Sequence, residues 1–361
     1  MRFFYSNYFC NMNVDFIIVG QGICGTWLSY YLSQTNASFI VIDNNEPNSS
    51  SKIAAGIINP VTGRRIVKTW MIDELLQHLK IACLELEKEV GSAVLCQKNI
   101  IDFFSTQQIK TAFEERIKTD TTFLKVPANQ NEFNSIFHAE FGNGEISPSY
   151  LFNLKMVIPA WRKTLLAKQQ LLEEEFLIPN LKTSSSQVFY NDIVANKIIF
   201  CDGISSLQNP FFKTLPFSFN KGESLLIEAA EIPETNIFKK GIVLAPQGNN
   251  LFWVGSNYEW NFTDANPSID FLDKTKKQLN NWLKVPYKIV EHKAAIRPTN
   301  LERRPFVGLH PTNKNIGILN GMGTKGCTLA PYFAKQLVDI LFLQSPIHPE
   351  ATIERFKKIL N

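Results

Sequence analysis

An excess of one charge is the first thing this sequence lacks. Its 37 lysines and arginines face 33 acidic residues, and a net charge of +4 over 361 residues neither requires nor excludes an anionic partner. Histidine is scarce. The five copies (His78, His138, His292, His310 and His348) are scattered without metal-ligand spacing, so no metal site is expected, and His78 reads as a half-exposed structural residue. Six cysteines (Cys10, Cys24, Cys83, Cys96, Cys201 and Cys327) form no close pair and read as reduced thiols of a cytoplasmic protein. No apolar run approaches the ~20 residues of a membrane span, so no integral membrane association is expected. There is no Gly-x-Ser-x-Gly elbow and no Walker-type loop, which removes two common hydrolase classes. Residues 1–11 are aromatic but broken by Ser6, Asn7 and Asn11, with no small-residue cleavage site after them. They are expected to be a disordered extension, with Met12 opening the folded chain.

Glycine, by contrast, is placed with pattern. In "IIVGQGICG" an apolar run ends at Gly20, and Gly22 and Gly25 follow. A helical spacing of Trp27, Leu28, Tyr31 and Leu32 comes next, then the buried-strand text "SFIVID" ending at Asp43. Strand, glycine turn, helix, strand and acid are the parts of a dinucleotide site. Gly20 permits the tight turn, Gly22 lets backbone approach a pyrophosphate, and Gly25 permits close strand–helix packing. The helix start at Ile23 faces the anion, and Asp43 suits a ribose hydroxyl.

Further along, Leu75, Leu79, Cys83, Leu86 and Val90 mark a long amphipathic helix. Residues 100–140 show no clear period. "KIIFCDG" repeats the strand-then-glycine order at Gly203, and "ESLLIEA" and "NNLFWVGSNY" read as strands of a different, mixed sheet. "GMGTKGCTLAP" sets Gly321, Gly323 and Gly326 before a helix expected from near Thr328, with Pro331 in its first turn.

Taken in order, "DFIIVGQGICGTWLSYYL", "SSSKIAAGIINP", "GEISPSYLFNLK", "KIIFCDGISS", "AAIRPTNLERRPFVG" and "GMGTKGCTLAP" resemble the D-amino acid oxidase family of FAD-dependent oxidoreductases, nearly end to end. The resemblance implies an α/β fold: an FAD-binding Rossmann-like domain of the glutathione-reductase type, assembled from residues 12–80, 144–220 and 299–361. An α+β substrate domain on a mixed, largely antiparallel sheet is then expected from 81–143 and 221–298.

For the site, the resemblance implies that Ser50, Ser51, Ala54, Ala55 and Gly56 pass the flavin ring, where small residues suit close approach; a capping serine cluster is the plainer alternative. It also implies that Gly323, Thr324, Lys325, Gly326 and Thr328 face the flavin's pyrimidine edge, where amides at a helix start stabilise negative charge. A solvated Lys325 remains the alternative there. Arg297 matches an arginine that holds the substrate carboxylate through two parallel hydrogen bonds; pairing with Glu302 is the competing role. Relatives that anchor flavin covalently use a cysteine or a histidine where Ala295 and Ile53 stand here, so FAD is expected to be non-covalent. An oxygen-activating lysine of sarcosine oxidases corresponds to Trp253, so the electron acceptor is either O2 or another carrier.

The implied reaction is oxidation of the C–N bond of a small amine or amino acid by hydride transfer to flavin, with no protein acid or base required. Two alternatives stand beside it. One is oxidation of a carboxymethylaminomethyl group on tRNA wobble uridine, with Arg64, Arg65, Arg303 and Arg304 near phosphates; the other is a flavin-binding protein without turnover.

Overall fold

The computed structural model describes residues 12–63 and 65–360. The extension expected at 1–11, with Cys10, and the Arg64 of the tRNA reading lie outside the described residues.

"FIIV" of the Met12–Val19 strand and "FIVI" of Phe39–Ile42 are apolar at every position. Such a strand is stable only where both faces are covered, which favours a parallel sheet between helical layers. Met12–Val19 pairs in parallel with Phe39–Ile42 on one side and with Ile193–Phe200 on the other. Ile316–Asn320 joins the carboxyl half of Ile193–Phe200, again in parallel. Strands from the start, middle and end of the chain thus bring their carboxyl ends together at Val19, Ile42, Phe200 and Asn320. The Ile23–Ser33 helix packs beside Leu154–Ala167 and Gly326–Leu343, and Ile23 through Leu32 are all buried. Its Trp27–Leu28 and Tyr31–Leu32 neighbours are both apolar because this helix has no solvent face.

A second eight-stranded sheet runs in the order 288–297, 220–228, 251–255, 242–248, 237–240, 100–103, 143–146, 124–125. It is antiparallel except where Ile237–Lys240 meets Ile100–Phe103. Its two faces follow the strand period of two. Leu225, Ile227, Phe238, Leu244, Phe252 and Val254 form a core with Phe271, Leu279 and Trp282 of the covering Ile269–Trp282 helix. The alternate positions Ser224, Lys239, Val243, Trp253 and Gly255 line an open cleft.

Several elements differ from their sequence reading. The aperiodic 100–140 stretch contains the strand Ile100–Phe103 and the helix Gln107–Thr119. The expected junction at 80/81 falls inside the continuous Ile72–Val90 helix, whose apolar stripe Leu75, Leu79, Ala82, Cys83 and Leu86 is buried along its length. The junction at 143/144 falls inside the strand Asn143–Ile146. The last long helix begins at Gly326, two residues before Thr328, so Pro331 is its sixth residue and sits in the second turn. Among the described residues, no helix is long and apolar enough to cross a membrane.

Candidate active site

The carboxyl ends of the parallel strands and the open face of the second sheet enclose a cleft of about 860 Å³. Its first wall is the turn after Val19. Gly20 sits at φ +95°, and a Cβ there would come 2.6 Å from the Cys201 carbonyl oxygen, so only glycine fits. Gly22 precedes the Ile23–Ser33 helix without any side-chain cap, and the helix's first turn holds no acid. The Ile23 N–H donates to Ser51 Oγ at 3.0 Å. Gly25 does not reach the cleft. It lies where a Cβ would press into the Gly20 carbonyl, so its role is strand–helix contact.

Asp43 lines the cleft with its carboxylate already held. Oδ2 accepts the Gln21 N–H at 2.8 Å; Oδ1 accepts the Asn45 N–H at 2.8 Å and Arg162 Nη1 at 2.6 Å. Arg162 is itself 6% exposed and also reaches Gln21 Oε1, the Asp43 carbonyl and Glu173. This guanidinium, on the Leu154–Ala167 helix, ties Gln21, Asp43 and Glu173 together. Nothing in the sequence near Arg162 announced it, because its partners lie up to 141 positions away.

Ser50, Ser51, Ala54, Ala55 and Gly56 all line the cleft. Gly203 also lines it, at φ +55°, with open space where a Cβ would stand. The neighbouring Asp202 carboxylate accepts from Ser206, Asn209 and Asn320. Burial pushes this carboxyl above its ordinary pKa, and those three donors oppose the shift. Asn320 also donates to the Gly203 carbonyl at 2.8 Å, joining two strand ends beneath the cleft.

Gly323, Thr324, Lys325 and Gly326 line the far wall, whereas Thr328 does not. Thr328 is buried and donates to the Lys325 carbonyl at 3.0 Å. Lys325 is half-buried as a residue, its Nζ lies 3.3 Å from Thr69 Oγ1, and burial of the ammonium pushes its pKa down to about 8.

Arg297 stands on the opposite, sheet side. Its Nη1 donates to Asn220 Oδ1 at 2.7 Å and to the Asn257 carbonyl at 3.1 Å, and Nη2 donates to Ser256 Oγ at 2.6 Å. Tyr258 offers its ring face 5.0 Å from Cζ. Every one of these partners is uncharged. Among the described residues no carboxylate pairs with Arg297, and Glu302 is instead bound to Arg355 at 3.0 Å. Burial lowers the Arg297 pKa, with Tyr258 opposing, but a guanidinium still carries its charge at neutral pH. A desolvated cation without a counter-ion, facing a cleft, is suited to an anionic ligand. The guanidinium lies flat over Gly222, where a Cβ would fall on Nη2, Cζ and Nη1. A lone strand glycine signals close approach, and that was the available sign of Gly222.

The cleft also tests the fit of a dinucleotide. Two helix amino ends whose N-cap residues, Gly22 and Lys325, supply no side-chain cap open onto it, the first sharing its Ile23 N–H with Ser51 Oγ, and such ends attract anions. Gly20 and Gly56 are packed against the Cys201 and Phe152 carbonyls, and Gly203 leaves open space on the cleft side. The residues present fit a bound FAD, and Gly20, Gly22, Ile23 and Asp43 line one wall of the cleft.

A cleft at converging strand ends, with a glycine cradle and uncapped helix starts, defines the class as a dinucleotide-dependent α/β enzyme. The family model described as FAD dependent oxidoreductase (DAO) matches residues 15–340, and the chain belongs to that family. FAD is its cofactor, and membership of an oxidoreductase family sets aside the reading without turnover. The chain is 42% identical over 365 residues to the uncharacterized oxidoreductase YurR of Bacillus subtilis, covering 91% of this chain and 94% of that protein. It is 23% identical over 358 residues to the glycine oxidase of Pseudomonas putida, covering 93% and 96%. In fold it is similar to the crystal structure of glycine oxidase from Geobacillus kaustophilus, with a TM-score of 0.77 at 18% identity, covering 93% of this chain and 96% of that one.

Proposed function

We propose that this enzyme oxidises the C–N bond of a small amine that carries a carboxylate, of the glycine, sarcosine or D-amino acid type. The observation that carries the reading is Arg297, a cation with only neutral partners facing the cleft. Its guanidinium receives the substrate carboxylate through two charge-assisted hydrogen bonds, and Ser256, Asn220 and Tyr258 fix its plane. Gly222 seats the guanidinium and Gly255 seats the Trp253 indole, so both side chains lie close against the sheet at the edge of the cleft. Trp253 closes one side, its indole N–H donating to the Ile53 carbonyl at 3.0 Å, and shields the reacting carbon from water.

Bound FAD would supply the two-electron acceptor for a hydride from the α-carbon, and water would hydrolyse the imine left on the substrate to a carbonyl compound and the free amine. No side chain has to take a proton when the amine enters neutral. Glu223, the carboxylate nearest in sequence to the Gly222 floor, is engaged by Ser268, Asn257 and His292.

The state of the cleft's thiols supports non-covalent retention of FAD. Burial pushes Cys24 and Cys327 up to about 12 and Cys201 well above its ordinary value, so none is a ready thiolate. Ile53 and Ala295 offer no nucleophile. The similarity to glycine oxidases supports the substrate class. Arg304, which the tRNA reading needs near phosphates, is committed to Glu350 at 2.7 Å and stacks over Trp70.

Anaerobic bleaching of the flavin band tests the proposal without knowledge of the electron acceptor. Glycine, sarcosine, proline and D-amino acids are mixed with the holoenzyme, and at least one is expected to bleach it. If Arg297→Ala bleaches as readily as the unaltered enzyme with a carboxylate-bearing amine, the substrate class is wrong.

A further inference from the structure

The cleft face of the second sheet carries another polar site, away from Arg297. Register aligns Ser224, Gly255, Val243, Lys239 and Asp102 in one row across five adjacent strands. Cross-strand neighbours project to the same face, and all five residues line the cleft. Arg297 lies over Gly222, on the strand at one end of that row. At the other end, Lys239 Nζ donates to Asp102 Oδ2 at 2.7 Å. Three interstrand steps of about 4.8 Å separate the two strands by about 14 Å.

Asp102 is 5% exposed, yet among the described residues its Oδ1 accepts no hydrogen bond. Burial pushes its carboxyl up while the Lys239 ammonium pulls it back. Lys239 keeps donors beyond the one given to Asp102, and its side chain is 33% exposed. The strands do not depend on the pair for cohesion, since Ile101, Phe103 and Phe238 already anchor them to the core on the opposite face. Acceptor and donors therefore stand side by side with no net charge. A lone carboxylate there would be repelled by Asp102 and a lone ammonium by Lys239; a group that both donates and accepts meets neither repulsion. Val243 and the Trp253 indole, which lies over Gly255, offer an apolar surface between the two sites for a connecting chain.

We propose that Lys239 and Asp102 bind the far end of an elongated substrate. That substrate is an N-substituted amino acid whose nitrogen substituent ends in a hydrogen-bonding group of zero net charge, a hydroxyl or an amino-acid zwitterion. The inference rests on the reading of Arg297 as carboxylate binder. It deepens that reading by naming what the nitrogen carries.

Anaerobic flavin reduction by the holoenzyme tests it with four probes that share one glycine carboxylate and differ at the tail. They are N-hexylglycine, N-(6-hydroxyhexyl)glycine, N-(6-aminohexyl)glycine and Nε-carboxymethyl-lysine, with sarcosine as the tailless reference. The hydroxyl or zwitterion tail is expected to raise kred/Kd at least about tenfold over the hexyl tail, the worth of one charge-assisted hydrogen bond. Whichever of those two is faster identifies the tail. In Asp102→Leu/Lys239→Met, which strands neither charge, the gap is expected to close to within about twofold, the size of an ordinary context effect. The inference is overturned if the unaltered enzyme shows no such gap, prefers the aminohexyl tail, or if the double variant keeps the gap. The probe series on the unaltered enzyme decides even where the double variant does not fold. If sarcosine reduces the flavin and tails make no difference, this inference alone fails; if no amine reduces it, the proposed function fails as well and takes the inference with it.

Discussion

Gly222→Ala is the most economical test of how the sheet presents Arg297. The new methyl would lie closer than 3.0 Å to Nη2, Cζ and Nη1 of the guanidinium, an approach that real Cβ atoms do not make. Gly222 is not in the left-handed region, so alanine is tolerated by the backbone and the arginine has to move. Moving it breaks three hydrogen bonds, to Asn220, Ser256 and the Asn257 carbonyl, and tips the fork away from the carboxylate. Solvent recovers part of the folding cost, so the fold loses about 1–3 kcal/mol. Binding loses the paired charge-assisted contact, about 1.5–3 kcal/mol, which is roughly 10- to 150-fold in kred/Kd. Stopped-flow anaerobic reduction with sarcosine reads this directly, and a carboxylate-free amine such as dimethylamine serves as the control. The carboxylate advantage is expected to collapse in Gly222→Ala. In an Arg297→Ala background the same substitution should add little, because both act through one contact. A folded, yellow Gly222→Ala enzyme with unchanged sarcosine kinetics would refute the placement of Arg297 over this glycine.

Three further perturbations probe the cofactor side. Gly25→Ala drives a methyl into the Gly20 carbonyl, where backbone faces backbone; a loss of about 3 kcal/mol in urea unfolding and a lower flavin-to-protein ratio are expected, and an unchanged midpoint would contradict the packing. Arg162→Ala leaves the Asp43 carboxylate and Gln21 without their buried partner, costing about 3–5 kcal/mol and weakening FAD affinity by fluorescence titration. An Arg162→Ala protein as stable as its parent would show that the network is decorative. Lys325 has its pKa depressed to about 8, so in the flavin-free protein its charged form burdens the fold at every pH below that value. The burden fades as pH rises from about 8 to the ordinary lysine range, where both folded and unfolded forms become neutral. Lys325→Met is therefore expected to melt higher than its parent at pH 7, with the gap closing towards pH 10. A gap independent of pH would exclude desolvation of the ammonium as the cause.

Much of the fold was legible because short-range text carries it. The Val14–Val19 run, the three glycines after it and the apolar "FIVI" sit within about thirty residues, and each obeys a local rule about strand burial or backbone approach. Motif order extended that reading to Gly203 and to Gly323–Gly326, all of which line the cleft. Boundaries inside elements were not legible. The Ile72–Val90 helix crosses an expected junction because its apolar stripe continues past residue 80, and periodicity does not say where a domain stops. Gly25 and Thr328 also stand apart from the cleft; their text matched, but each spends its contact on the backbone beside it.

Chain order and residue type by themselves determined a dinucleotide-type glycine turn and the positions Gly20 and Gly25 at which only a bare backbone fits; FAD and Arg297 were singled out by the family resemblance. Tertiary structure alone decided that Arg297 has no acidic partner among the described residues, that Arg162 holds Asp43, and that Lys239 and Asp102 line the same cleft as Arg297. The physical reason is range. A glycine turn or an apolar strand is written in consecutive residues, whereas the state of a buried charge depends on neighbours that come close only when distant strands pair.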